Sequence, residues 1–85
     1  MAQQYNNPNA QNIKKRYAVL VFIKGSTAPL VLYVKEPQAF YDELISLIQS
    51  QKVVLVQKET EGPIKHVAFI SNQISAVAIQ EEQYI

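Results

Sequence analysis

The sequence predicts a single small α+β domain: a mostly antiparallel sheet, open or strongly curled, with one helix packed on one face, in the order β-β-α-β-β-β. Two observations predict it. Glu36–Gln51 (EPQAFYDELISLIQSQ) alone carries a helical period, with Phe40, Leu44, Leu47 and Ile48 on one face and Tyr41 and Ile45 widening it. Asp42, Glu43, Ser46, Gln49 and Ser50 take the opposite side. Every other ordered segment is a short apolar run rich in β-branched residues and bounded by turn chemistry.

Residues 1–14 open the chain as a Gln/Asn-rich tail with too little apolar content to offset the entropy of ordering, so disorder is expected there. The α+β domain is assigned to residues 15–85. Tyr17–Lys24 (YAVLVFIK) is the strongest strand and is apolar on both alternating faces, which predicts a central position. Gly25–Pro29 is a turn, and Leu30–Lys35 (LVLYVK) follows as an antiparallel partner because the connection is short. Pro37 suits the first helical position, where its missing donor costs nothing. Asp42 and Glu43 fall early enough to agree mildly with the helix dipole. Lys52–Lys58 (KVVLVQK), Ile64–Ile70 (IKHVAFI) and Ile74–Gln80 (ISAVAIQ) complete the strands, separated by Glu59–Pro63 and Ser71–Gln73. The final hairpin, ending in SNQISAVAI, resembles the end of an Sm-like RNA-binding protein over less than a quarter of the chain. In that family the helix precedes the strands, whereas here it follows the second.

At 85 residues without cysteine, the domain has neither disulfide nor thiolate–metal staples and relies on packing. Eight basic against seven acidic residues give no global case for nucleic acid or an anionic membrane. No leader-like pattern opens the sequence and no apolar run approaches membrane-spanning length, so a cytoplasmic setting without membrane contact is expected.

Reactive constellations are sparse. His66 is the single histidine, and a lone imidazole makes neither a zinc site nor a triad. Asp42/Glu43, Glu59/Glu61 and Glu81/Glu82 read as solvated surface charges, and two glycines cannot make a phosphate cradle. The expectation is therefore a non-enzymatic protein with no catalytic residue, metal or cofactor.

The apolar content leads elsewhere. A helix of about four turns covers about half of one face of such a sheet, and the strands are apolar on both sides. Either the sheet curls on itself or further copies shelter the rest. The reading is a homo-oligomeric interaction module, most simply a two-fold dimer, able to engage another protein through its tail or sheet edges. Val19, Val21, Ile23, Val31 and Val54 are the interface candidates. The alternative is a small nucleic-acid-binding or regulatory protein that uses Lys14, Lys15 and Arg16 on phosphates with Tyr17 beside them.

Overall fold

The computed structural model describes residues 14–84 of the chain; the expected tail lies, but for Lys14, outside the described residues. The architecture is α+β, with one helix and five strands in antiparallel sheets: β1 (Lys14–Ile23), β2 (Leu30–Leu32), α1 (Pro37–Ser50), β3 (Leu55–Glu59), β4 (His66–Ile70) and β5 (Ile74–Tyr84). One sheet has the order β2-β1-β5 and the other pairs β3 with β4. An isolated bridge joins them, with the Glu61 amide donating to the Tyr33 carbonyl at 2.7 Å. The sheet is not closed into a barrel: β4 and β5 are joined by a short 3-10 turn at Ser71–Gln73 and do not pair.

β1 is central, as its doubly apolar sequence requires. It pairs with β2 through Val19↔Leu32 and Val21↔Leu30, and with β5 along nearly its whole length from Lys14↔Tyr84 to Ile23↔Ile74. A register shift at Phe22/Ile23 lets Ile23 and Ile74 meet on the inner side. β1 starts three residues before the apolar run, because Lys14–Tyr17 find cross-strand partners in Glu81–Tyr84. β5 is longer than the pattern predicts for the same reason. β3 starts later than Lys52, since Lys52–Val54 hydrogen-bond to the 3-10 corner instead of to a strand. The buried Ser71 hydroxyl bridges there, donating to the Lys52 carbonyl and accepting from the Val54 amide, while the Ser71 amide donates to the Val54 carbonyl.

α1 begins at Pro37 without a side-chain cap, and its first-turn hydrogen bond runs from the Phe40 amide to the Glu36 carbonyl. No acidic residue lies in the first turn, so Asp42 and Glu43 sit beyond the strongest part of the dipole field. The helix ends at Gln51, which takes the left-handed conformation at φ 58°.

The core lies on one side of the β2-β1-β5 sheet. Val19, Val21 and Leu32 project from it, Phe40 and Leu44 come down from α1, and Val56 and Phe69 close it from the β3–β4 ribbon. The ribbon thus contributes Val56 and Phe69 to the same core as the helix. The opposite face of the sheet carries Leu20, Phe22 and Val31, half-buried, and Ala18, which is wholly buried.

Candidate functional site

Three surfaces are candidates for a functional site, and each is built by the fold from residues distant in sequence. The first is an apolar patch at the C-terminal end of α1. Leu55 and Ile70 sit directly opposite each other on the outer face of the β3–β4 ribbon, 58% and 45% exposed. Val53 precedes them at 64% exposure, with Val54 and Ile48 exposed nearby. The Ser71 hydrogen bonds hold Lys52–Val54 against this corner, which fixes the patch on ordered backbone. These exposed large apolar side chains make this end of the molecule a candidate contact surface.

The five interface candidates lie in different surroundings. Val54 is 37% exposed, at the patch. Val19 and Val21, by contrast, are 0% exposed under α1 and present no surface to a second copy. The helix lies over β1 and β5 there, and Val56 and Phe69 of the ribbon join the same core. Ile23 packs against the core, and Val31 is half-buried on the outer face of the three-stranded sheet. Val53 and Leu55 escaped sequence reasoning because KVVLVQK is apolar at both parities, so nothing in it says which of Val53/Leu55 and Val54/Val56 turns inward.

The second surface is the ribbon arm formed by the start of β1 and the end of β5, which holds Lys14, Lys15, Arg16 and Tyr17. Arg16 Nε donates to Glu82 Oε1 at 3.0 Å, and its guanidinium lies 4.1 Å from the Tyr33 ring centroid and 5.3 Å from that of Tyr84. The Tyr33 hydroxyl donates to the Glu82 carboxylate, at 2.9 Å to one oxygen and 3.1 Å to the other, and Gln80 adds a third donor at 3.2 Å. Tyr17 donates to Glu81 at 3.2 Å, and Lys15 lies 3.9 Å from the same carboxylate. The antiparallel register thus lays the basic cluster on the acidic pair Glu81/Glu82, so two of its three cations already face carboxylates.

The hydrogen bond from Tyr33, with the Arg16 charge beside it, holds the Glu82 carboxyl below the usual carboxylate range. The bond to Glu82 in turn pushes the Tyr33 phenol above its ordinary value. A depressed carboxyl pKa contributes stability that is present above the unfolded-state pKa, about 4.3, and lost as pH falls through the folded value. A raised phenol pKa contributes stability that is present below about 10 and lost above it. Denaturant midpoints between pH 3 and 7, approximate bounds set by that carboxyl range, are expected to fall less steeply on the acid side in Glu82→Gln than in the wild-type chain. Superimposable profiles would show that the network does not couple folding to this proton.

The third surface is a groove of about 440 Å³ at the N-terminal end of α1, between the helix and the end of β3. Val34 and Phe40 line it, and Glu36, Glu43, Glu59 and Glu61 surround it. Lys58 reaches over the Phe40 ring at 4.9 Å from its centroid, with its ammonium 4.0 Å from Glu43.

His66 is exposed on the outer face of β4, opposite Glu59 in the register. Among the described residues no group of three histidines or carboxylates is placed to hold a metal ion, and no helix is long and apolar enough to cross a membrane. The chain matches no protein-family model, no curated protein and no solved structure.

Proposed function

We propose that this chain is a non-enzymatic interaction module that self-associates through the apolar patch of Val53, Val54, Leu55 and Ile70. The single observation that carries the reading is that these large side chains stay exposed together on ordered backbone. Fully burying one such side chain is worth roughly 1.5–3 kcal/mol, so sheltering several supplies a driving force for association. The outer edges of β4 and β5, which pair with no other strand among the described residues, offer a further route for a protein partner by strand addition.

The nucleic-acid alternative draws on Lys14, Lys15 and Arg16, but the Arg16 guanidinium is hydrogen-bonded and stacked and Lys15 lies beside Glu81. A phosphate would have to compete with those carboxylates, so this reading ranks second.

Light scattering coupled to gel filtration tests the proposal. A mass above that of one chain is expected in the high micromolar range, with Leu55→Asp shifting it to one chain while circular dichroism stays unchanged. A wild-type protein that runs as a single chain throughout would end the self-association reading.

A further inference from the structure

We infer that the association is head-to-tail: the apolar patch at the C-terminal end of α1 in one copy docks against the acidic groove at the N-terminal end of α1 in the next. The inference rests on the self-association reading above and adds its geometry. The patch is built from Val53, Val54, Leu55 and Ile70 and the groove from residues 34–43 and 58–61, two different surfaces of one rigid fold, so no copy can satisfy its own patch with its own groove.

Charge selects the pairing. Lys24 and Lys52 flank the patch end, where they line a shared depression with Leu47 and Ile48. The residues of this end all fall within stretches 20–34, 44–57 and 66–80, which contain no aspartate or glutamate. Two patches packed against each other about a two-fold axis would bring four ammonium groups together without a counter-charge, a juxtaposition that suppresses binding. The groove has the opposite character, with four glutamates against Lys35 and Lys58. Among the described residues only Glu43 of the four has an ammonium within 4.0 Å, which leaves Glu36, Glu59 and Glu61 to receive one.

The floor of the groove fits the same partner. Lys58 already lies over the Phe40 ring beside Glu43, so the chain itself displays the mode in which a lysine is held there. An incoming Lys52 would place its ammonium among Glu59 and Glu61, beside the position over Phe40 that Lys58 already fills, bringing Val53 and Leu55 down next to it. Because patch and groove are different surfaces, each docked pair keeps one of each unused, and association continues into a ring or a filament.

Two variants made at exposed positions test this. Lys24→Glu/Lys52→Glu spoils the patch end, and Glu59→Lys/Glu61→Lys spoils the groove; both leave the core untouched. Each alone is expected to associate roughly tenfold or more weakly than wild type by light scattering. Mixing the two in equal amounts is expected to restore association, since each supplies the surface that complements the other. A groove variant that associates like wild type would overturn the head-to-tail geometry while leaving self-association in place. A mixture no stronger than its separate components would overturn it as well. A monomeric wild type would instead remove the reading on which it stands.

Discussion

Phe40→Ala is expected to cost the folded state about 3–5 kcal/mol, the usual range for emptying a large buried aromatic site. Phe40 is 1% exposed and lies where α1 meets Val19, Val21, Leu32 and Val56, so truncation removes the contact that seats the helix on the sheet and the ribbon together. Its ring also carries Lys58, which lies over it and beside Glu43 at the groove. The loss is a large share of the roughly 5–15 kcal/mol that holds a typical domain folded. Chemical denaturation measures it directly. A loss well under 1 kcal/mol, about the scale of an exposed substitution, would mean that this helix face is not seated as described.

Gly62→Ala is expected to have the second-largest effect, and Gly25→Ala is its control. Both glycines have positive φ, 85° and 83°, so alanine at either meets about 1–2 kcal/mol of left-handed strain. The surroundings differ. A Cβ at Gly62 would fall 2.7 Å from Tyr33 Cδ2 and 3.3 Å from Cε2, whereas nothing lies within 4 Å of one at Gly25. Tyr33 has little room to yield, because Glu82 accepts its hydroxyl proton and Arg16 stacks on its ring. Overpacking of this sort adds about 1–3 kcal/mol. Gly62→Ala should therefore lower stability clearly more than Gly25→Ala in the same denaturation series. Equal losses would show that the turn shifts away from Tyr33 at no cost.

Much of this fold is legible in the residues themselves. The spacing of Phe40, Leu44 and Leu47 sets which helix face is buried, and Pro37 marks the first helical position. Apolar runs between glycine- and proline-bearing turns place the strands, and the doubly apolar YAVLVFIK makes β1 central. Val67 and Phe69 turn inward and His66, Ala68 and Ile70 outward, following the partition of alternate positions in β4. The candidate surfaces were less accessible. Glu59 and Glu61 become a groove wall only when β3 meets α1, and Glu81 and Glu82 become partners of the basic cluster only when β5 pairs with β1.

The sequence by itself thus determined the elements, their order and the turns between them, because helical period, strand period and backbone stereochemistry are local properties. Only the tertiary structure decided which parity of an all-apolar strand turns inward. Val19 and Val21 are covered while Val53 and Leu55 are left out, because each outcome depends on which distant element arrives to cover that face. Pairings across the chain, such as Arg16 with Glu82 and Tyr33 with Gly62, belong to the same class. They follow from the register and curl of the assembled sheet, which no short stretch of residues specifies.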